Sequence, residues 1–192
     1  MFLNERLDRY TLIEIEGRTI SSVVAMFVYW LCESSTVSAV MIFMISQIID
    51  LVRCAYRKHV LEPGIVAHHC MSIAICTAFL NAPVAVEPDV ILATQKLLAM
   101  EFTNPFLHGS WMISKIHNLE HKRFIELCLL ITVLIFWPYF RLYGSLRAVV
   151  LLAHHHGLAT ALASVLCGLQ FFWFVKLSKR LAQMWPEDLK DL

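Results

Sequence analysis

Residues 97–112 read LLAMEFTNPFLHGSWM and set a glutamate, an asparagine and a histidine inside an otherwise apolar run. Such side chains are costly in hydrophobic surroundings unless they are paired or face water. On a helix through this stretch, four polar side chains fall within about 80° of one another: Thr94, Glu101, Asn104 and His108. The pattern predicts a polar stripe that either forms hydrogen bonds to neighbouring helices or lines a cavity. Pro105 lacks a backbone N–H, so we expect a kink or break in this helix.

The composition of the whole chain indicates a membrane protein. Its 192 residues are 58% hydrophobic and 16% charged, against ~45–50% and ~25% in an average soluble domain. Long apolar runs recur with the charged residues gathered between them, which is typical of an all-α, polytopic membrane helix bundle. The net charge is only +1, so the chain has no basic field that would attract nucleic acid, and we expect no nucleic-acid partner.

Hydropathy predicts about six transmembrane helices, at residues 19–32, 37–54, 65–80, 89–112, 124–142 and 148–175. The first is short, since a full crossing of the hydrocarbon core needs about 20 residues. We divide the chain into an N-terminal cytosolic segment (1–17), a transmembrane domain (18–180) and a cytosolic tail (181–192). The sequence does not indicate an oligomeric state.

The distribution of lysine and arginine predicts the topology. With both termini in the cytosol, all 16 basic residues except Lys96, Arg141 and Arg147 fall on the cytosolic side. The loop NAPVAVEPD, residues 81–89, contains two acids and no base, as expected of an outer loop. This distribution agrees with the positive-inside rule. Of the three exceptions, Arg141 and Arg147 fall on the outer side and Lys96 lies in a span.

Two adjacent histidines, His68 and His69, lie near the start of the third predicted helix. Histidine can exchange a proton near neutral pH, and it can act as a base or contact a headgroup. Adjacent residues point about 100° apart on a helix, so we expect one ring to face a cavity and the other a neighbouring helix or headgroup. In the second helix, Asp50 lies one turn from Arg53. It forms either an ion pair at the helix end or a partner for one of the histidines.

The remaining histidines do not complete a metal site. His117 and His121 form an HxxxH pattern, which on a helix puts both rings on one face. Membrane di-iron enzymes need further histidine boxes, and the cationic residues around this pair disfavour a metal ion. The three histidines at 154–156 spread over about 200° of a helix, and we interpret them as an interfacial feature that opens the last helix. We therefore predict no metal ion and no cofactor.

Five segments, taken in order, resemble the TLC domain family, which includes ceramide synthases and several small TLC-domain-containing proteins. They are MIFMISQIIDL (41–51), AHHCMSI (67–73), LLAMEFTNPFLHGSWM (97–112), WPYFRLYG (137–144) and LQFFWFVKLSK (169–179), the last being an aromatic and basic helix end typical of a membrane interface. The resemblance covers about residues 18 to 180. It implies a helix bundle around a lipid-accommodating cavity. The residues expected to contact lipid are Asp50, His68, His69, Thr94, Glu101, Asn104, Pro105, His108 and Arg141.

The resemblance also implies a choice between two functions. In ceramide synthases, a histidine pair and two aspartates of the following span support acyl transfer from acyl-CoA to a sphingoid base. Here His68 and His69 match the pair, but Glu101 and Asn104 stand at the aspartate positions, and asparagine cannot act as a base. This departure is typical of the non-synthase members. We therefore expect a protein that binds, senses or moves membrane lipid and adjusts membrane lipid composition (lipid homeostasis). Its expected location is the endoplasmic reticulum or another endomembrane, with the plasma membrane as an alternative.

Two alternatives stay open. The first is a ceramide-synthase-like sphingoid-base N-acyltransferase with acyl-CoA as its co-substrate. In it, His68 or His69 takes the amine proton while Glu101 fixes the tautomer of that histidine. The second is a cargo receptor or assembly factor of the early secretory pathway, without lipid chemistry. It predicts that changes in the loops impair function while changes in the cavity do not.

Overall fold

A computed structural model describes residues 9–56, 63–81, 87–116, 121–154 and 157–188. Within these ranges the chain is helical, with short turns and no strand. The α-helices of these ranges are α1 (Arg9–Leu31), α2 (Thr36–Tyr56), α3 (Pro63–Asn81), α4 (Pro88–Ala99), α5 (Asn104–Lys115), α6 (Lys122–Trp137), α7 (Gly144–Leu152) and α8 (Gly157–Asp188). A 3₁₀ segment, Met100–Thr103, joins α4 to α5, and a π-helical segment, Pro138–Tyr143, joins α6 to α7.

The 3₁₀ and π segments continue the helices that they join, so the described residues form six helical rods: α1, α2, α3, α4–α5, α6–α7 and α8. Among the described residues, four stretches are long and apolar enough to cross a membrane: Thr36–Arg53, Pro63–Asn81, Lys122–Leu152 and Gly157–Met184. The rods α1 and α4–α5 contain more charged residues, such as Arg18 and Glu101. The architecture is an all-α, multi-pass membrane bundle, as the composition predicts.

Helix α1 is longer than hydropathy predicts. It has 23 residues, whereas the apolar pattern indicates a helix only at residues 19–32. The added turns are polar, and Arg18 donates a hydrogen bond of 3.0 Å to Glu14, four residues earlier. Pairs at this spacing stabilise a helix that continues past the apolar region. Hydropathy detects only the part of a helix that can meet lipid.

The predicted boundary between the last two spans is wrong. The fifth rod continues through α7, and α8 begins only at Gly157. Arg141, which hydropathy puts next to the end of the fifth span, therefore lies well inside a rod. A Cβ placed on Gly144 would lie 3.2 Å from the backbone oxygen of Lys96, so this glycine lets the fifth rod approach α4 closely. Hydropathy predicts a connection between two spans at residues 143–147. In the structure these residues are helical, and Gly144 among them allows the contact with α4.

The predicted break at Asn104-Pro105 is confirmed. Pro105 cannot donate to the carbonyl of Glu101, which would be its partner in a regular α-helix. The backbone N–H of Asn104 bonds to that carbonyl instead, in the tighter pattern of a 3₁₀ helix. Glu101 lies inside the bundle at this break and is only 3% exposed.

The apolar core lies at the end of the bundle where α1 ends, α2 begins, α3 ends and α8 begins. Several of its members are alanines that are fully buried: Ala39, Ala93, Ala148 and Ala163. Small side chains let helices approach closely, which is how helices associate in lipid. The opposite end of the bundle differs, because polar side chains there enclose a cavity.

Candidate functional site

The polar end of the bundle encloses a cavity of about 700 Å³. Its walls come from α1, α2, α3, α5, α8, the end of α6 and the π segment. Several residues that the sequence predicts as lipid contacts line it: Asp50, His68, His69, Asn104, His108 and Arg141. The apolar part of the wall includes Leu107, Trp137 and Trp173. The cavity therefore offers both polar and apolar surroundings.

A second cavity, of about 30 Å³, lies among residues of the apolar core. Its walls are mainly apolar, with Phe43 and Leu98 among them. Thr94 and Glu101, two further residues that the sequence predicts, also line it. His68 lines both cavities, so its ring stands between the large cavity, whose wall is polar and apolar, and a small cavity whose wall is mainly apolar.

Arg141 is the centre of a buried hydrogen-bond network. Its side chain is 2% exposed, and its guanidinium donates to Thr103, Asn104 and Gln170. The bond to Gln170 Oε1 measures 3.0 Å. The Asn104 amide in turn donates to Glu101. The network therefore joins the α4–α5 rod, the π segment and α8.

The asparagine at position 104 has a structural role that an aspartate could not fill. Its Oδ1 accepts from Arg141, and its Nδ2 donates to Glu101. An ionised aspartate has no donor for Glu101 and would place a second negative charge beside it. Where the resemblance implies a second aspartate, this chain has Asn104. Its neutral amide links the Glu101 carboxylate to the Arg141 guanidinium.

Both histidine rings border the large cavity, with centroids 5.6 Å apart. His69 also contacts α2, since its Nδ1 lies 2.6 Å from Gln47 Oε1; we assign the proton to that nitrogen because the amide oxygen can only accept. The His68 ring meets Trp173 edge-on, with centroids 5.2 Å apart. Its Nδ1 is buried and has no hydrogen-bond partner within the described ranges. An unsatisfied buried nitrogen is costly, which points to a ligand or water at this position.

Glu101 does not orient the histidines by a direct contact. Among the described residues, its carboxylate bonds to Asn104 and to neither histidine ring. Gln47 is the side chain that orients His69. Gln47 lies one turn before Asp50 on α2. A side-chain amide within an apolar helix was the sequence signal that could have indicated a partner for a histidine.

His108 and Asp50 fix the walls of the large cavity. His108 Nδ1 lies 3.1 Å from the backbone oxygen of Arg18, which links α5 to α1. Asp50 accepts a hydrogen bond of 3.3 Å from Arg53, so the ion pair at the helix end is present. Asp50 also borders the same cavity as the histidine pair. Pro105 is not among the described residues that line either cavity, and its visible effect is the helix break.

Sequence reasoning missed two members of the site. We interpreted Gln170 as part of an interfacial anchor, but it is fully buried and accepts a hydrogen bond from Arg141. Trp137 is 1% exposed, and its Nε1 donates to the backbone oxygen of Gln170 at 3.1 Å. The Arg141 guanidinium lies 4.5 Å from the centroid of the Trp137 ring. A glutamine inside an aromatic run was a weak signal, because its partner is 29 residues away.

Two further histidines of the described ranges, His121 and His154, are not among the residues that line either cavity. His121 has a φ of 56° in the turn before α6, so it is not part of a helix that carries an HxxxH face; residue 117 lies outside the described ranges. His154 lies in the turn after α7, so the expectation that it opens the last helix is wrong. Residues 155 and 156 lie outside the described ranges.

A family model described as TLC domain matches residues 25–179. This range contains α2 to α7, and with them the histidine pair, Glu101 and Arg141. Arg18 lies before the matched range and Arg180 after it. No curated protein and no solved structure matches the chain.

Proposed function

We propose that this chain, which belongs to the TLC domain family, binds a membrane lipid inside its helix bundle and so adjusts membrane lipid composition. The observation that carries the proposal is the cavity of about 700 Å³, which lies within the ~300–1,000 Å³ of ordinary ligand sites. Tryptophan and leucine side chains share its wall with histidine, aspartate and arginine. A ligand with a polar end and an apolar end satisfies both parts of this wall.

His68 supports the proposal from the polar side. Its Nδ1, which has no partner among the residues that the structure describes, supplies one hydrogen-bonding group for a headgroup. Ionisable groups inside membrane spans mostly face a bundle interior or a water-filled cavity and mark functional sites. In the topology that the basic residues predict, the cavity opens at the cytosolic face, and the lipid enters from the cytosolic leaflet. We assign the protein to the endoplasmic reticulum or another endomembrane, with a role in lipid homeostasis.

The direct test is the lipid that remains with the purified protein. The full chain is purified in a nonionic detergent, and the lipids are extracted and identified by mass spectrometry. We expect one lipid class to be enriched at least about fivefold over the source membrane, because a site with fixed polar groups discriminates between headgroups. A lipid profile equal to that of the source membrane would count against a binding site.

Acyl transfer is the second candidate, and one observation favours it. The residue His68, whose buried Nδ1 has no hydrogen-bond partner among the described residues, lines a cavity that has both polar and apolar walls. In such a reaction, the sphingoid amine would attack the thioester carbonyl, His68 would take the amine proton, and the CoA thiol would leave. Glu101 argues against this candidate, since its carboxylate contacts Asn104 and not the ring that would need orienting.

The two candidates are separated by an assay of the purified chain with mixed acyl-CoA and a sphingoid base. We expect no amide product above the background of the double variant His68→Ala, His69→Ala. The double variant is the control because it removes both candidate bases but keeps the rest of the wall. An amide that forms with the unmodified chain and disappears with the variant would establish the acyltransferase instead.

A further inference from the structure

The mouth of the large cavity is strongly basic. Among the described residues, six basic side chains line the cavity: Arg18, Arg53, Arg141, Lys176, Lys179 and Arg180. Two acidic side chains, Glu14 and Asp50, share this wall. Except for Arg141, the basic residues lie on the parts of α1, α2 and α8 farthest from the apolar core. The excess of positive charge is therefore local, although the net charge of the whole chain is only +1.

The ion pairs that Arg18 and Arg53 form on this wall do not use every N–H donor of the two guanidinium groups. Arg18 contacts Glu14 at 3.0 Å, and Arg53 contacts Asp50 at 3.3 Å. The Arg18 pair uses two guanidinium nitrogens and the Arg53 pair uses one, whereas a guanidinium has five N–H donors in a planar fork. The donors that remain can reach a ligand in the cavity. Such a fork suits an oxyanion with several acceptor oxygens.

Further contacts hold the basic side chains in place. The Arg18 guanidinium lies 4.0 Å from the centroid of the Trp111 ring, and Arg180 contacts Glu126 on α6. A Cβ on Gly17 would lie 3.0 Å from Nη1 of Arg53, so this glycine makes room for the Arg53 guanidinium against α1. Side chains that are already fixed lose less entropy when they bind a ligand.

We propose that the ligand of this cavity is a phosphate-bearing amphiphile whose phosphate is bound by the basic mouth. The inference rests on the proposed lipid-binding function and names its ligand class. A phosphate offers more acceptor oxygens and more negative charge than a carboxylate, so it matches several convergent cations better. The described wall of the cavity has six basic and two acidic side chains, so it favours a negatively charged headgroup over an uncharged one. The phosphate can belong to an anionic glycerophospholipid or to the nucleotide part of an acyl-CoA.

The test compares three soluble amphiphiles with the purified full chain in a nonionic detergent. They are dioctanoyl phosphatidic acid, dioctanoylglycerol, which has the same tails without phosphate, and octanoyl-CoA. Intrinsic tryptophan fluorescence reports binding, because Trp111, Trp137 and Trp173 line the cavity. We expect phosphatidic acid to bind at least about tenfold more tightly than dioctanoylglycerol.

A matched pair of variants locates the effect. The double variant Lys176→Gln, Lys179→Gln removes two charges from the cavity wall. The control Lys122→Gln, Arg123→Gln removes two charges from the start of α6, outside the described cavity wall. We expect about a tenfold loss of phosphatidic acid affinity in the first variant, since each charged contact contributes up to about 1 kcal/mol at an exposed site. The control variant should lose less than about twofold.

The outcomes distinguish the phosphate inference from the proposed lipid binding. Equal affinity for phosphatidic acid and dioctanoylglycerol, or equal losses in the two variants, would overturn the phosphate inference while lipid binding stands. Binding of none of the three amphiphiles would overturn both. Tight binding of octanoyl-CoA alone, lost in the Lys176→Gln, Lys179→Gln variant, would retain the phosphate chemistry and assign its source to the nucleotide.

Discussion

Replacement of Arg141 by methionine is expected to lower the free energy of unfolding by about 3–5 kcal/mol. Arg141 is 2% exposed and donates to Thr103, Asn104 and Gln170. Methionine leaves these acceptors unpaired inside the bundle. It also removes the cation that Asn104 links to the Glu101 carboxylate. Breaking one side of a buried charged network costs more than the bonds themselves, because the remaining polar groups stay desolvated.

Thermal unfolding of the detergent-purified variant measures this loss, with Arg147→Met as the matched control. Arg147 lies on α7 and is exposed, so its replacement should change stability by less than about 0.5 kcal/mol. The double variant Arg141→Met, Glu101→Gln removes both charges and should recover about 1–2 kcal/mol. An Arg141 variant as stable as the Arg147 variant would show that the network does not stabilise the fold. A double variant that recovers nothing would show that Glu101 and Arg141 are not coupled.

The sequence predicts those features of the fold that depend on local chemistry. Composition alone indicates the all-α membrane class, because no soluble fold tolerates apolar runs of this length and number. The break before Asn104 is predictable because Pro105 has no N–H to donate. The structure also places His68 and Glu101 on the wall of one small cavity. Their contact with a lipid remains a prediction that the experiments above address.

The sequence could not predict the place of Arg141, for a physical reason. Arg141 lies next to the predicted end of the fifth span, in the aromatic stretch WPYFRLYG, and a π-helical segment has no sequence periodicity that hydropathy detects. The partners of Arg141 lie 37 residues earlier and 29 residues later, on other rods. A buried arginine is stable only when such distant acceptors converge. This convergence becomes visible only in three dimensions.

The basic mouth of the cavity illustrates a related limit. Sequence reasoning counts Arg18, Arg53 and Lys176 as markers of the cytosolic side, which depends only on their number and position. The structure shows that the same side chains also line the cavity. The direction in which a basic side chain points depends on how the helices pack. Gly17 is an example, because it leaves room for the Arg53 guanidinium. Charge along a sequence therefore predicts topology better than it predicts a binding site.

Replacement of Ser21 by phenylalanine is expected to weaken lipid binding about thirtyfold. Ser21 lines the large cavity from α1, and a benzyl group there occupies space that the apolar part of a ligand would fill. Displacing about three methylene groups at ≈ 0.8 kcal/mol each gives a loss of roughly 2 kcal/mol, which corresponds to that factor. Dioctanoylglycerol titration by tryptophan fluorescence measures the change, since phenylalanine adds no tryptophan signal.

Two control variants on the same helix separate cavity filling from other effects. Val23→Phe places the same side chain on a residue that is 65% exposed, where it meets lipid or detergent, so binding should change less than about twofold. Ser21→Ala removes the hydroxyl without filling space, and binding should again change little. Thermal unfolding should be similar for all three, because the new ring at position 21 occupies empty volume and does not overpack a core. Equal binding by Ser21→Phe and Val23→Phe would mean that the ligand does not occupy this cavity, and the proposed function would fail with it.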